Sequence, residues 1–149
     1  MNGGALSTVC KVWNKKYSED FIRYSLYKVA LGLFKMHSKQ VLHRDIKADN
    51  VLCSSTGEVK IADLGLSVFL CSEQSYRETR GGTANWVSPE IVEGTKYTSE
   101  VDVWAFGGLA TELATGKPLF AEYTNKRDIF NAIVNEEPPA IPQRWSADL

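Results

Sequence analysis

The sequence predicts a mainly α-helical fold with one small β-hairpin. Three segments, residues 18–38, 99–115 and 125–135, carry apolar side chains at the spacing of an α-helix. Two short apolar runs, residues 51–53 and 59–61, are separated by a polar turn that contains glycine, which is typical of a hairpin. The chain has 149 residues, of which 44% are hydrophobic, and this is enough for a single domain with a buried core.

Residues 18–38 form the first predicted helix. Its first turn contains Glu19 and Asp20 and its end contains Lys35 and Lys39, which is the arrangement that the helix dipole favours. Its apolar side chains recur with the helical period and form one face. They are Ile22, Leu26, Val29, Ala30, Leu33 and Phe34.

The second half of the chain is predicted to contain two helices after a long segment without a regular period. Residues 63–96 make up that segment, and connections of this length are usually functional or disordered. The helix at 99–115 is apolar on nearly all sides, which predicts burial, and Gly116 and Pro118 end it. The last helix, at 125–135, has apolar residues on one face, namely Ile129, Phe130, Ile133 and Val134.

Charge and composition favour some classes of partner over others. The 17 Lys and Arg residues nearly balance the 18 Asp and Glu residues, and the longest basic cluster is Lys15-Lys16, so we expect neither a nucleic-acid nor a membrane partner. The most apolar stretch, residues 101–114, is shorter than the roughly 20 residues that span a bilayer.

The three cysteines, Cys10, Cys53 and Cys71, are an odd number without a Cys-x-x-Cys pair, and the N-terminus has no secretory pattern. A reducing compartment is the simplest interpretation of this cysteine usage. The sequence therefore predicts a cytoplasmic protein, with the nucleus as the alternative.

The residues that carry chemistry are concentrated between positions 43 and 63. Asp45, Asn50 and Asp63 supply hard oxygen ligands or a proton acceptor, and the hairpin between Asn50 and Asp63 brings them back toward each other. Two such oxygen donors suit Mg²⁺, which binds few protein ligands and completes its shell with phosphate and water. Lys47 places a cation where phosphate charge develops, and the group as a whole predicts phosphoryl transfer.

Each of these residues alone is more often a turn-former or a solvated charge. The pattern His-Arg-Asp-x-Lys-x-x-Asn, at residues 43–50, fixes five residues jointly. At average residue usage, a chance match in a chain of this length is on the order of one in ten thousand.

These motifs resemble those of the eukaryotic protein kinases, and the resemblance covers essentially the whole chain. Residues 43–50 resemble the catalytic loop, and Asp63-Leu64-Gly65 resembles the metal-binding motif, with Leu64 in place of the usual Phe. Three further stretches resemble the substrate-binding segment, the end of the activation segment and the start of the central helix. They are Gly82-Thr83 with Trp86, Ser88-Pro89-Glu90 and residues 102–107.

The resemblance implies ATP and Mg²⁺ as cofactors and a protein substrate. Asp45 would orient the acceptor hydroxyl and accept its proton, Lys47 would steady the γ-phosphate, and Asn50 and Asp63 would hold magnesium. Lys47 together with Thr83 is the pattern of the serine/threonine kinases. The sequence as a whole is most similar to the sterile-kinase group. Leu52 resembles the residue beneath the adenine, and His43 resembles a residue that the family uses for packing.

A regulatory role follows for two residues. Arg44 would pair with a phosphorylated side chain of the activation segment through charge-assisted hydrogen bonds. Thr79 occupies the corresponding position for phosphorylation by an upstream activating kinase, with Ser75 and Ser72 as weaker candidates. The alternative for Thr79 is an exposed loop hydroxyl.

Two acidic residues have predicted structural roles. Asp102 would hold the backbone of the catalytic loop, and the alternative is a capping box with Ser99 at the start of its own helix. Glu90 would pair with an arginine that belongs to the family's later helices.

The resemblance implies a partial protein kinase domain over residues 1–149, namely the C-terminal lobe of a two-lobed α+β fold. The N-terminal lobe, with its Gly-rich loop and strand lysine, and the last C-terminal helices are expected to be lacking. We therefore expect the chain alone to bind ATP poorly and to transfer phosphate slowly. A catalytically incompetent truncated kinase or a pseudokinase-like binding scaffold is the alternative, and a Ser or Cys hydrolase is poorly supported because no Gly-x-Ser-x-Gly occurs.

Overall fold

The computed structural model describes residues 2–13, 17–70, 76–77 and 81–139. The helices found there are α1 (Leu6–Trp13), α2 (Glu19–His37), α3 (Pro89–Glu93), α4 (Glu100–Thr115) and α5 (Lys126–Asn135). The strands are β1 (Gly4–Ala5), β2 (Val41–Leu42), β3 (Val51–Cys53), β4 (Val59–Ile61) and β5 (Val68–Phe69). Two short 3₁₀ turns, Ala48–Asn50 and Ala84–Trp86, complete the regular structure of the described residues.

The strands form two small antiparallel sheets. β3 and β4 make the predicted hairpin, with Val51 opposite Ile61 and Cys53 opposite Val59, and β1 adds a third strand beside β3. β2 pairs with β5 in a separate sheet. The prediction of one hairpin was thus incomplete, because two-residue strands are too short to show the alternation that marks a strand in a sequence.

α2 begins and ends as predicted, but its apolar face was assigned too broadly. Ser18 caps the helix, since its hydroxyl oxygen accepts the Phe21 N–H at 3.3 Å. Ile22, Leu26, Val29 and Leu33 are buried, whereas Ala30 and Phe34 are exposed. Each step of four residues turns the side chain by about 40° around the axis, so Phe34, twelve residues after Ile22, has rotated away from the core.

α4 is buried on most of its surface, as its apolar sequence predicts, with an exception at Val103. Its Val103 side chain is 61% exposed, whereas Val101, Ala105, Leu109 and Leu113 are buried. The helix contributes to two buried clusters. The first includes Ile22, Val29, Val51, Ala105 and Leu109, and the second includes Ile91, Val101, Phe120, Ile129 and Ile133.

The polar segment 43–45 runs between these two clusters. Leu42, just before it, belongs to the second cluster, and Ile46, just after it, belongs to the first. Burial of both flanks places the intervening polar residues against α4, where their backbone needs buried hydrogen-bond partners.

The segment 63–96 is more ordered than its sequence predicts. It contains β5, the turn Ala84–Trp86 and α3, which has Pro89 in its first turn and ends at Gly94 with a left-handed φ of 74°. Residues 71–75 and 78–80 of this segment lie outside the described residues.

α5 follows its prediction at both ends. Asn125 caps it, since its Oδ1 accepts the Asp128 N–H at 2.9 Å, and Ile129 and Ile133 are buried. Val134, predicted on the same face, is exposed. Of the helices in the described part of the chain, none combines the length and the apolar character that crossing a membrane requires.

Truncation of a buried residue of α4 tests whether this helix is part of the buried core. We expect Leu109→Ala, at a fully buried site, to lower the free energy of unfolding by about 2–5 kcal/mol because it removes apolar contacts and leaves a cavity. Val103→Ala, on the exposed side of the same helix, should change it by about 0.5 kcal/mol or less. Urea unfolding measures both, and equal losses would contradict the assigned burial.

Candidate active site

The carboxylate of Asp102 in α4 holds the start of the polar segment. Its Oδ2 accepts the backbone N–H of His43 at 2.8 Å, and its Oδ1 accepts the N–H of Arg44 at 2.7 Å. Oδ2 also lies 2.8 Å from Nε2 of His37, the last residue of α2. These hydrogen bonds supply the partners that a fully buried carboxylate requires.

The geometry separates the two interpretations of Asp102. Ser99 stands at the N-cap of α4, but its side chain makes no capping hydrogen bond. Both oxygens of Asp102 are instead directed at the backbone of His43 and Arg44. In this structure, Asp102 therefore bonds to the backbone of the polar segment, and Ser99 and Asp102 do not form a capping box.

The ring of His43 joins this segment to the residue before Asp63. Its Nδ1 lies 3.3 Å from the N–H of Asp45, and its Nε2 lies 3.0 Å from the carbonyl oxygen of Ala62. Nδ1 is therefore the acceptor and Nε2 the donor, an assignment that follows from these partners. Because the ring is fully buried, it packs the segment as well as bonding to it.

Asp45 contacts three other residues that the sequence analysis identified, namely Lys47, Asn50 and Thr83. Lys47 Nζ lies 2.9 Å from Asp45 Oδ2 and donates to the Thr83 hydroxyl at 2.5 Å. The Thr83 hydroxyl in turn donates to Asp45 Oδ1 at 2.6 Å. Asn50 Nδ2 donates to both the carbonyl oxygen and Oδ2 of Asp45, each at 2.8 Å. Residues 38 positions apart in the chain thus share one hydrogen-bonded cluster.

These donors determine the charge of Asp45. Burial by itself raises the pKa of its carboxyl group, but the hydrogen bonds from Thr83, Lys47 and Asn50 and the positive charge of Lys47 outweigh that effect. The pKa of Asp45 therefore lies below its ordinary value, and the group is an ionised acceptor at neutral pH.

Asp63 lies beside this cluster but not within it. The Ala62 N–H donates to the Asn50 carbonyl oxygen at 2.8 Å, which fixes the residue before Asp63. Asp63 has a left-handed φ of 62°, and its exposed carboxylate accepts the Gly65 N–H at 3.1 Å. Among the described residues, no group of three or more His, Cys, Asp or Glu is arranged to hold a metal ion. The pair Asn50 and Asp63 remains the predicted cation site.

Leu52 occupies the middle of the three-stranded sheet. It lies in β3 between Ala5 of β1 and Lys60 of β4. Val51 and Cys53 are buried on one face of the sheet, so the half-buried Leu52 points to the other face. The structure thus places this side chain away from the core.

Arg44 connects the polar segment to the chain that follows Asp63. It has a left-handed φ of 68°, its Nε donates to the Leu66 carbonyl oxygen at 2.7 Å, and its Nη1 donates to the Tyr97 hydroxyl at 3.0 Å. Position 82, next to Arg44, favours glycine. Its φ is 103°, and a Cβ there would lie 2.9 Å from the Arg44 carbonyl oxygen.

The remaining predicted residues are placed only in part. Glu90 lies in the first turn of α3, and no lysine or arginine of the described residues forms an ion pair with it. Thr79, with the weaker candidates Ser72 and Ser75, lies outside the described residues.

Glu112 is a site residue that the sequence analysis did not identify. Its Oε2 accepts the Ala48 N–H and the Trp86 indole N–H, both at 3.1 Å, so it joins α4 to the turn Ala48–Asn50 and to the turn after Thr83. Burial raises the pKa of Glu112, the nearby Asp49 adds to this, and the two hydrogen bonds and Lys47 oppose it without reversing it. A glutamate within the apolar helix was the available signal, since a buried carboxylate needs donors.

Removal of one oxygen of Asp102 tests its hold on the polar segment. In Asp102→Asn the amide N–H₂ replaces an acceptor and faces a buried donor, so we expect a loss of about 1–3 kcal/mol in the free energy of unfolding. Ser99→Ala should cost about 0.5 kcal/mol or less, because Ser99 makes no capping bond. A reversed order in urea unfolding would favour the capping box.

Glu112→Gln is expected to change how stability depends on pH. A carboxyl group whose pKa is higher in the folded state binds more protons when folded, so stability falls as the pH rises from the unfolded pKa through the folded one. Glutamine does not ionise, and its carbonyl oxygen can still accept both hydrogen bonds. Relative to the unmodified chain, the variant should therefore gain stability as the pH rises above the ordinary value of 4.5.

Chemical unfolding at a series of pH values measures this difference. Trp86→Phe removes a hydrogen bond that lowers the pKa of Glu112, so it should make the decline with pH steeper. Parallel pH profiles for the unmodified chain and Glu112→Gln would contradict the assignment.

Comparisons with known proteins agree with this arrangement. The family model for the protein kinase domain matches residues 1–146. The chain is 39% identical over 137 residues to serine/threonine-protein kinase pakH of Dictyostelium discoideum, which covers 90% of this chain and 26% of pakH. It is 37% identical over 148 residues to pakC of the same organism, covering 98% of the chain and 31% of pakC.

A third relative is serine/threonine-protein kinase hippo of Drosophila melanogaster, which is 36% identical over 147 residues. That match covers 97% of this chain and 22% of hippo. The chain therefore spans a third or less of the length of each of these curated relatives. The resemblance to serine/threonine kinases of the sterile-kinase group is confirmed, and the chain belongs to the protein kinase family.

Proposed function

We propose that this chain is the C-terminal lobe of a serine/threonine protein kinase that transfers the γ-phosphate of ATP to a Ser or Thr hydroxyl of a protein. The observation that carries the proposal is the contact of Asp45 Oδ1 with the Thr83 hydroxyl, which also accepts a hydrogen bond from Lys47. An aliphatic hydroxyl held between a carboxylate and an ammonium group is the environment that a substrate hydroxyl would need.

Each side chain of the cluster has a distinct part in this proposal. Asp45 accepts the hydrogen bond of the acceptor hydroxyl, aligns it and takes its proton as the oxygen bonds to the γ-phosphorus, while the bond from that phosphorus to the bridging oxygen breaks and ADP leaves. Its lowered pKa makes it a weak base, which suits a reaction that depends on positioning more than on early proton removal. Lys47 neutralises charge on the transferred group, and Asn50 holds Asp45 through one hydrogen bond to the carboxylate Oδ2 and one to the backbone carbonyl oxygen.

The donor set fits magnesium. Asn50 directs its N–H₂ group at Asp45, which leaves the amide oxygen for a cation, and the carboxylate of Asp63 is exposed. Two hard oxygens suit an ion that keeps phosphate and water in its shell. When bound, Mg²⁺ supplies charge neutralisation on the nucleotide phosphates.

Nucleotide binding and regulation extend the same proposal. Leu52, on the face of the sheet away from the core, would contact the adenine ring. Arg44 is held by Leu66 and Tyr97 beside the activation segment, where it would bind a phosphate group on Thr79. An upstream kinase would supply that phosphate.

Asp45→Asn tests the proposed role of the carboxylate. We expect the variant to lower the rate of phosphate transfer from MgATP to a serine-containing protein by about 10²–10⁴-fold, the range for loss of a general base. Radiolabelled ATP gives the sensitivity that a comparison of low rates needs. Glu58→Gln, at an exposed position in the hairpin turn, is the matched control and should transfer at the unmodified rate.

Equal rates for Asp45→Asn and the unmodified chain would contradict the proposal. Magnesium-dependent binding of ADP, followed by NMR, separates the two functions left open by the sequence. Binding that is lost in Asp63→Asn supports the kinase, whereas no transfer together with no nucleotide binding favours the protein-binding scaffold.

A further inference from the structure

α2 is apolar on two opposite sides, and the described residues cover only one of them. The covered side contains Ile22, Leu26, Val29 and Leu33, which pack toward α4 and β4. The other side carries four large apolar residues that we call the α2 stripe. They are Tyr24, Tyr27, Leu31 and Phe34, with exposures of 42%, 60%, 45% and 74%.

The stripe is continuous along the helix. Its members follow at steps of three, four and three residues, which places them on one face over about three turns. A helix that is apolar on both sides is normally covered on both. Together the four side chains expose on the order of 400 Å² of mostly apolar surface, which is the size of the largest apolar patch on an ordinary monomer, a patch that is often functional.

Charged residues at the two ends of the stripe indicate the orientation of its partner. Asp20, in the first turn, has an almost fully exposed side chain, and Lys35, in the last turn, is exposed as well. Both lie on the same side of the helix as the stripe. The stripe therefore has a carboxylate at one end, which lies 4.0 Å from the Arg23 guanidinium, and an ammonium group at the other.

An antiparallel copy of the same helix sets the two charged ends of the stripe opposite each other. A twofold axis between residues 27 and 28 sets Asp20 against Lys35 of the partner subunit and Tyr24 against Leu31 of the partner subunit. The opposite ends of the two helix dipoles also lie side by side. A twofold axis repeats each contact, so one helix supplies both halves of the interface.

We propose that the α2 stripe is a homodimer interface in which two chains pack their α2 helices antiparallel. The area per copy is roughly half that of a standard interface, so the proposed dimer belongs to the weak, transient class and we expect it only at high protein concentration. The proposal rests on α2 alone and is independent of the proposed kinase activity.

Sedimentation of the purified chain over a range of concentrations tests the proposal. We expect a monomer–dimer equilibrium that Leu31→Glu, at the centre of the stripe, abolishes. Val103→Glu, at an exposed apolar position of α4, is the control and should leave the equilibrium unchanged. A chain that stays monomeric, or a dimer that Leu31→Glu does not weaken, would overturn the proposal and leave the stripe to another partner or to the rest of a longer protein.

Charge reversal tests the antiparallel arrangement. Asp20→Lys and Lys35→Asp should each weaken dimerisation about tenfold, because each sets two like-charged pairs against each other. A mixture of the two variants should restore it, since the mixed dimer has both pairs complementary. Thermal unfolding of each variant establishes that it is folded, and Glu122→Lys, an exposed residue distant in sequence, should have no effect on dimerisation.

Failure of the mixture to dimerise, with both variants folded, would exclude the antiparallel arrangement. The kinase proposal would stand in that case, because none of these positions belongs to the cluster around Asp45. Conversely, equal transfer rates for Asp45→Asn and the unmodified chain would contradict the kinase proposal and would leave the dimer proposal standing.

Discussion

The bonds from the buried carboxylate of Asp102 to the backbone of His43 and Arg44 are the constraint on which the site depends. They attach the polar segment to α4, the helix that both buried clusters share. Arg44 has a left-handed φ, a conformation that costs free energy unless its surroundings hold it, and the bond to its N–H provides that hold. The position of Asp45, one residue later, follows from this attachment.

Two carboxylates, one in the polar segment and one in α4, have opposite pKa shifts. Asp45 receives hydrogen bonds from three side chains and the charge of Lys47, which together outweigh its burial and lower its pKa. Glu112 receives two hydrogen bonds but also faces Asp49, so burial prevails and its pKa is raised. The number and charge of the hydrogen-bond donors decide the direction of each pKa shift. Asp45 is therefore an ionised acceptor, whereas Glu112 is a structural link to Trp86.

α2 connects the site to the proposed dimer interface. Its last residue, His37, bonds to Asp102, and its buried face packs against α4, while its opposite face carries the stripe. One rigid helix therefore takes part in the hydrogen bonds that hold the site and in the surface that we assign to a second copy. Because α2 carries apolar residues on two sides, its buried face was difficult to delimit from the sequence, and the residues left over, such as Phe34, form this second surface.

The sequence by itself determined the three long helices, the hairpin and the kinase motif from His43 to Asn50, because each depends on local spacing or on residues close together in the chain. The tertiary structure alone decided which residues meet. Thr83 reaches Asp45 and Lys47 across more than 30 residues, and Glu112 bonds to Ala48 and Trp86, contacts without a periodic signal in the sequence. It also decided that Phe34 is exposed and Leu33 buried, since the side of a helix that becomes core depends on what packs against it.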